Sequence, residues 1–367
     1  MKRRHFLGMT ALGASAAIGY STLSGFSMFS GRASQKRPLG IALVGLGSYS
    51  TYQLAPALEK TERIELRGVV TGTPSKAEEW AKKYNLSDKN IYSYDTFDQI
   101  AGNPDIDVVY IVLPNSMHAE YTIQAAEAGK HVICEKPMAV SVKECDDMIA
   151  ACKKAKVHLG IGYRLHYEPH IREVMRLSKE KAFGEWKTLF AEFGFRIGDP
   201  TQWRLKQALA GGGPLMDLGV YCLQGICQLT DQLPVAITAQ QVKTDPVKFA
   251  EVEETLMWQM QYESGLMASC VTTYNANIHR LHAAGENGWL EMGPAYVYGG
   301  LKGRSSKGDI SFPEVNQQAR QIDGFADVIL QNAPNLVPGE MGRRDMVMVE
   351  AIYEAMRTGT TVKPEDF

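Results

Sequence analysis

Short apolar runs alternate with segments of helical period along the first half of the chain. Residues 40–47 read Gly-Ile-Ala-Leu-Val-Gly-Leu-Gly, an apolar run that enters a glycine turn, and a helical segment follows through Leu54–Glu59. Ile64–Val70 predicts a second strand, and Pro74–Tyr84 a helix with proline in its first turn. Asp107–Leu113 runs apolar, as strands buried on both faces do. Met117–Ala128 predicts a helix, His131–Cys134 a strand and Val142–Ala155 a helix, and Leu159–Gly162 ends the set. This βα alternation predicts an α/β domain with a doubly wound parallel sheet over 34–160. The pattern then changes. Trp186–Arg196, Ile237–Val242, Glu253–Tyr262 and Leu266–Thr273 predict strands, with a hairpin turn at Glu263-Ser264-Gly265. Phe325–Gln331 and Arg344–Met356 predict helices, so 161–367 forms a second domain.

Before the first strand the chain opens Met1-Lys2-Arg3-Arg4-His5-Phe6-Leu7, followed by small and apolar residues over 8–25. A basic pair followed by x-Phe-Leu is a twin-arginine export signature. We assign 1–33 as the signal, with small residues at Gly31-Arg32-Ala33, and expect the periplasm and the twin-arginine machinery as destination and partner. An uncleaved N-terminal anchor is the alternative. No cysteine lies in this segment, which excludes lipid modification there. That route carries folded proteins, and the usual reason to fold first is a cofactor loaded in the cytoplasm. The signal therefore predicts a cofactor by itself.

Composition adds exclusions. The 367 residues carry a net charge of -2, with no basic stripe interleaved with aromatics, so no nucleic-acid partner is expected. The cysteines at 134, 145, 152, 222, 227 and 270 form no C-x-x-C pair and read as buried free thiols, although a Cys222–Cys227 bridge stays open. No histidine spacing suits a metal, and none is expected.

The glycine turn after the first strand suits a dinucleotide. Gly45 permits the tight turn, and Gly47 lets backbone approach a pyrophosphate drawn to the helix N-terminus. The third fingerprint position is Ser50, small but not glycine. NAD sites place a carboxylate at the end of the second strand to bond the ribose hydroxyls. Here that strand ends Val70-Thr71-Gly72-Thr73, and Lys76 follows. Thr71 and Lys76 can bond a 2′-phosphate, which predicts NADP; the plainer reading of Lys76 is a solvated lysine.

Two later strand ends carry polar groups where ligands of open α/β sheets bind: Leu113-Pro114-Asn115-Ser116 and Glu135-Lys136-Pro137. Pro137 biases Lys136 toward extended backbone, holding its side chain over the crevice. A further segment reads Gly211-Gly212-Gly213-Pro214-Leu215-Met216-Asp217-Leu218-Gly219-Val220-Tyr221. We expect the glycines to allow a ligand close, Pro214 to open a helix, and Asp217 and Tyr221 to share one face at i, i+4. Oxidising an alcohol requires loss of a proton as hydride leaves carbon. Tyr221 can take it, with the Lys136 ammonium stabilising the phenolate and Asp217 holding a substrate hydroxyl. A buried Asp–Tyr hydrogen bond is the alternative reading.

These residues together resemble the glucose–fructose oxidoreductase, inositol dehydrogenase and rhizopine catabolism family (Gfo/Idh/MocA). The likeness runs from about residue 38 to the C-terminus and leans to the periplasmic glucose–fructose oxidoreductase branch. It rests on Val44-Gly45-Leu46-Gly47, Leu113-Pro114-Asn115-Ser116 with His118, Cys134-Glu135-Lys136-Pro137-Met138, Gly162-Tyr163-Arg164, Gln202-Trp203-Arg204-Leu205 and Gly211–Tyr221. The resemblance implies Lys136, Asp217 and Tyr221 as the active-site set, with Tyr221 where many members carry histidine. It implies cofactor contacts by Leu46, Gly47, Ser48, Tyr49, Thr71, Lys76, Tyr94, Leu113, Pro114, Asn115, His118, Glu135, Lys136, Arg164, Trp203, Arg204 and Tyr298. It implies an N-terminal Rossmann dinucleotide-binding domain and a C-terminal α+β domain with an open, predominantly antiparallel sheet. One face of that sheet packs on helices and the other is free to pair, so a homodimer is expected. The branch also has a long Pro-rich arm that supports a tetramer; here only about Ser34–Leu39 precedes the first strand.

The periplasm holds no exchangeable NADP pool, so an exported dehydrogenase needs a tightly bound cofactor reduced by one sugar and reoxidised by another. The expected activity is ping-pong: an aldose is oxidised at C1 to the lactone and a second sugar is reduced. The alternatives are an NAD-dependent glycosidase of the same superfamily and a non-catalytic, cofactor-loaded sugar-binding protein. Tyr163, Arg164, His166, Tyr167, Trp203 and Tyr298 are candidates to line the sugar pocket.

Overall fold

The computed structural model describes residues 37–366; the twin-arginine assignment at 1–33 lies outside them. The first sheet is built from β1 (Leu39–Val44), β2 (Ile64–Val70), β3 (Ile91–Tyr92), β4 (Val108–Ile111), β5 (His131–Cys134) and β6 (Leu159–Ile161). All six are parallel, in the order β3-β2-β1-β4-β5-β6. That is the Rossmann order, and it reverses between β1 and β4. β1 is buried along its whole length, as its unbroken apolar run requires. Its side chains divide between two layers. Ile41 and Leu43 join a core with Leu54, Leu58 and Trp80, whereas Ala42 and Val44 join the core that holds Ala125, Met148 and Cys152. The covering helices are α1 (Ala55–Leu58), α2 (Pro74–Tyr84), α3 (His118–Glu127) and α4 (Val142–Ala155). A π turn at Ser50–Leu54 precedes α1.

The second sheet follows α5 (Pro169–Lys179). Its strands are β7 (Trp186–Gly194), β8 (Ala236–Val242), β9 (Thr255–Gln261), β10 (Met267–Thr273), β11 (Ile278–Gly285), β12 (Gly288–Met292), β13 (Gly303–Ser305) and β14 (Gly308–Ile310). The order is β14-β13-β12-β11-β7-β10-β9-β8, antiparallel throughout except for the parallel β7–β10 pair. The predicted open, predominantly antiparallel sheet is therefore present. β9 shows its two faces clearly: Leu256, Trp258 and Met260 are buried, while Met257, Gln259 and Gln261 are exposed. The inner face packs on α7 (Val220–Thr230) and α9 (Gly339–Thr358), which follow α6 (Gln207–Ala210) and α8 (Gln317–Gln331). The outer face leaves Phe190 and Val271 partly covered and Met257 55% exposed.

α8 returns to the first sheet, where Ile322, Phe325 and Ala326 join the β1 core. Gly160 makes room for it: a Cβ there would stand 2.9 Å from the Phe325 ring. All six cysteines are buried free thiols, and no bridge joins Cys222 to Cys227.

Candidate active site

The site lies beyond the carboxyl ends of β1, β4 and β5. Gly45 sits at φ +95°, and a Cβ there would fall 2.4 Å from the Val112 carbonyl, so only glycine makes this turn. Ser50 staples the turn, its buried hydroxyl donating to the Gly45 carbonyl at 2.6 Å. A hydroxyl thus takes the third fingerprint position without loosening the loop. Gly47 has open space where a side chain would project, and Ser48 beside it is exposed. Thr71 and Gly72 end β2 without a carboxylate, and the Lys76 ammonium donates back to the Leu46 carbonyl at 3.2 Å. The Tyr94 ring lies against Gly72 and meets Tyr121 edge-on. Lys76 is thereby tied to Leu46 beside the open glycine loop, with Thr71 at the end of β2. These residues fit a dinucleotide: the cradle is empty of side chains, and β2 ends in groups able to bond a ribose phosphate.

On the other side of the switch point, the fold brings the three expected catalytic residues together. The Lys136 ammonium donates to the Asp217 carbonyl at 2.7 Å and to Asp217 Oδ1 at 2.9 Å. Arg204 Nε donates to Asp217 Oδ2 at 2.9 Å, and the Tyr274 hydroxyl donates to the same oxygen at 3.1 Å. Burial opposes the Asp217 charge, but Lys136 and Arg204 outweigh it and hold the carboxyl well below the usual carboxylate range. Burial likewise opposes the Lys136 ammonium, and Asp217 with Tyr221 outweighs it, so its pKa is raised. The peptide between Lys136 and Pro137 is cis.

Asp217 lies in a π turn, Leu215–Gly219, and Tyr221 in the first turn of α7. The alternative reading, a buried bond between Asp217 and Tyr221, does not describe the site; the tyrosine that bonds Asp217 is Tyr274. Lys136 stands between Asp217 and Tyr221, its nitrogen 4.9 Å from the centre of the Tyr221 ring. The Arg164 guanidinium lies 5.2 Å from the same ring and 4.4 Å from that of Tyr298. Arg164 is fixed by the carbonyls of Val297 and Tyr296 and by the Gln317 side chain. Tyr298 reaches back across the crevice to Tyr49, ring centres 6.0 Å apart. Trp203 carries the Arg204 guanidinium 4.7 Å above its ring.

Behind Lys136, the Glu135 carboxylate accepts from the Tyr110 hydroxyl at 2.8 Å and from its neighbour's amide at 3.2 Å. Burial is the main cause of its raised pKa. Leu113 and Pro114 lead into the buried Asn115, whose amide donates to the Ala210 carbonyl at 2.8 Å and ties this loop to the glycine run.

Several expectations change. His118 is completely buried, with Nδ1 2.8 Å from the Pro137 carbonyl and Nε2 2.9 Å from that of Leu113. It brackets two strand-end loops together and has no nitrogen free for a cofactor. Tyr163, His166 and Tyr167 are buried rather than open to a pocket: His166 bonds Gln224 at 2.8 Å, and Tyr167 packs against Gly324 of α8. The glycines at 212 and 213 do not clear space for a ligand. A Cβ on Gly212 would meet the Tyr353 hydroxyl, and one on Gly213 would stand 2.5 Å from the Glu253 carbonyl. Tyr274 is the residue that sequence reasoning missed; an aromatic side chain just past a strand carries no signal beyond core packing. Among the described residues, no group of three His, Cys, Asp or Glu side chains is placed to hold a metal ion.

Comparison with known proteins gives the same architecture. The profile of the GFO_IDH_MocA oxidoreductase family, with an NAD-binding Rossmann fold, matches residues 39–163, and the GFO/IDH/MocA C-terminal domain matches residues 171–291. D-xylose 1-dehydrogenase [NADP(+)] of Haloarcula marismortui is 30% identical over 339 residues, 89% of this chain and 93% of that protein. The crystal structure of aldose–aldose oxidoreductase from Caulobacter crescentus superposes with a TM-score of 0.85 at 42% identity, covering 89% of this chain and 100% of the other. Levoglucosan dehydrogenase shares the fold, with a TM-score of 0.75 at 21% identity over 89% of this chain and 99% of its own. With its NAD(P)-type Rossmann sheet, its open second sheet and these likenesses over nearly nine-tenths of its length, the chain belongs to the Gfo/Idh/MocA oxidoreductase family.

Proposed function

We propose that the protein is an NADP-dependent sugar oxidoreductase that oxidises an aldose at C1 to the lactone and then reduces a second sugar at the same site. The observation that carries this reading is the Lys136–Asp217–Tyr221 cluster beside an open dinucleotide cradle. The likenesses to an aldose–aldose oxidoreductase and to an NADP-dependent xylose dehydrogenase support the substrate class. The β2 end without a carboxylate supports NADP.

Bound NADP would supply the hydride acceptor and, once reduced, the donor. The chain's own residues handle the proton. When the C1 hydrogen departs as hydride, the C1 hydroxyl must lose its proton to become a carbonyl. Tyr221 takes that proton on its phenolic oxygen and returns it to the alkoxide of the second sugar, so each half-reaction restores the other's protonation state. Lys136 and Arg164 flank the ring, 4.9 Å and 5.2 Å from its centre. Asp217 fixes Lys136 and presents a carboxylate to a sugar hydroxyl. Tyr221 is only 7% exposed, which limits the access of water.

The reading extends to location and assembly. An N-terminal twin-arginine signal sends a folded, cofactor-loaded enzyme to the periplasm, where the cofactor stays bound through successive cycles. A homodimer buries the outer face of the second sheet around Phe190, Met257 and Val271. Light scattering tests the dimer, and Arg3→Lys with Arg4→Lys tests export.

The decisive measurement is an absorbance spectrum of the purified protein. An aldose should raise a reduced-nicotinamide band without added cofactor, and a second sugar should remove it. Tyr221→Phe should do neither. Wild-type turnover in that variant, or no band with any aldose, would overturn the proposal.

A further inference from the structure

The two halves of the site come from distant segments. Lys136 follows β5, and Asp217 and Tyr221 follow the glycine run. Two elements bridge these segments: the Asn115–His118 turn, through the Ala210 and Pro137 carbonyls, and the C-terminal helix α9, whose Glu350 and Tyr353 reach Val142 and Glu253.

On the Lys136 side, α9 packs against Met138 so closely that a Cβ on Gly342 would stand 2.8 Å from its side chain. Glu350, two turns further on, accepts the Val142 amide at 2.7 Å, fixing the start of α4 where the Lys136 loop ends. On the Asp217 side the contact runs through Glu253. This carboxylate is 4% exposed, and it accepts the Gly213 amide at 2.9 Å and the Leu215 amide at 3.0 Å. It thereby holds the two donors that flank Pro214, at the entrance of the turn bearing Asp217. The Tyr353 hydroxyl of α9 donates to the same carboxylate at 3.0 Å. Thr272 secures the Pro214 carbonyl between them at 3.0 Å.

Gly342, Glu350 and Tyr353 lie along one side of α9, about 16 Å from first to last at the helical rise per residue. A helix of this length is stiff; it meets the Lys136 side at Gly342 and Glu350 and the Asp217 side at Tyr353, and those two sides must meet at the 2.9 Å Lys136–Asp217 contact. We infer that α9 is a ruler for the active site, and that Tyr353 and Glu253 are positioning residues that set the catalytic turn against the Lys136 loop. This explains why glycine occupies both 212 and 213: the Tyr353 hydroxyl and Glu253 take the space that side chains would need. The inference rests on the oxidoreductase reading of the Lys136–Asp217–Tyr221 site.

The test is Tyr353→Phe, which removes one hydroxyl and keeps the ring, with Glu253→Gln as the stronger variant and Tyr221→Phe alongside. Glu253→Gln replaces one acceptor by a donor that faces a backbone amide. For Tyr353→Phe, a small displacement of the turn should lower kcat by roughly tenfold, since misplacements of about 1 Å can cost up to a hundredfold. KM for the aldose and cofactor affinity, read by fluorescence titration, should stay within about twofold, because neither residue borders the crevice. Turnover is measured well below the melting midpoint, which is recorded for each variant. A kcat loss with unchanged KM and cofactor affinity supports the ruler. Wild-type kcat in Tyr353→Phe, or a joint loss of kcat, KM and cofactor affinity that follows the melting midpoint, overturns it and leaves a merely structural contact. If Glu253→Gln does not fold, Tyr353→Phe decides alone. Wild-type turnover in Tyr221→Phe instead overturns the site reading itself, and is thereby distinguished from failure of the ruler.

Discussion

Asp217→Asn tests whether one carboxylate holds the centre of the site together. Asp217 takes a bond from each of Lys136, Arg204 and Tyr274. The Lys136 and Asp217 side chains are 12% and 15% exposed, so this is a buried pair, while Arg204 is 33% exposed and its share is discounted for solvent. Asparagine keeps the shape and one acceptor but leaves two cations without their anion. Removing one partner of a buried pair costs about 3–5 kcal/mol, and with the Lys136 bond to the residue 217 carbonyl retained we expect about 3 kcal/mol. For a chain of this size that is a fall of roughly 4 °C in Tm.

The pH dependence distinguishes this cause from a packing defect. The folded Asp217 pKa lies below its unfolded value of about 3.9, so its contribution is present above about pH 4 and is lost as pH falls further. Lys136 is shifted the other way, upward, so its contribution is present below its unfolded value of about 10.4 and is lost as pH rises through the folded value. Thermal melts of wild type and Asp217→Asn from acid to alkaline pH should show the widest gap near neutrality, narrowing toward both ends. A gap of the same size at pH 3 and pH 7, or no gap at neutrality, would refute the electrostatic argument. Loss of kcat should accompany the gap, because Lys136 is no longer fixed beside Tyr221.

Three further substitutions have defined outcomes. Thr71→Asp puts a carboxylate at the end of β2, and fluorescence titration should show NADP binding weakened by about tenfold or more relative to NAD. Gly162→Ala places a Cβ 2.7 Å from Glu135 Oε1, and the overpacking should lower stability by about 1–3 kcal/mol in denaturant titration. His118→Ala removes the ring between the carbonyls of Leu113 and Pro137; unfolding should become easier by about 1–3 kcal/mol, and cofactor affinity should fall as the two loops separate.

The first sheet was legible because its strands are continuous apolar runs closed by turn residues. β3 escaped because Ile91–Tyr92 is too short to show any period. The second sheet was half legible. β7 to β10 alternate clearly, but β11 reads Ile-His-Arg-Leu-His-Ala-Ala-Gly, and its polar outward side chains hide the strand. α8 begins at Gln317, eight residues before the expected Phe325, because its first two turns bury glutamines. Gln317 binds Arg164 and Gln321 binds the Ile161 carbonyl, so those polar residues are interior for a reason no hydropathy pattern displays.

The same division runs through the site. Lys136, Asp217 and Tyr221 stand in motifs at strand ends and turns, where backbone geometry limits what a side chain can face. Their supports do not. Tyr274 and Tyr353 read as ordinary aromatic packing, and Glu253 as one acid of the polar run Glu251-Val252-Glu253-Glu254, until the fold is known. The glycine run at 211–213 shows where the boundary falls. Glycine marks a position that something must approach closely, but it does not say what approaches. At Gly47 the space is open and suits a ligand; at Gly212 and Gly213 it is filled by Tyr353 and Glu253. The residue type is the same, and its meaning is set by which distant segment the topology brings against it. A close-approach glycine therefore predicts either a ligand or a brace: Gly47 suits the first, and Gly212 and Gly213 show the second.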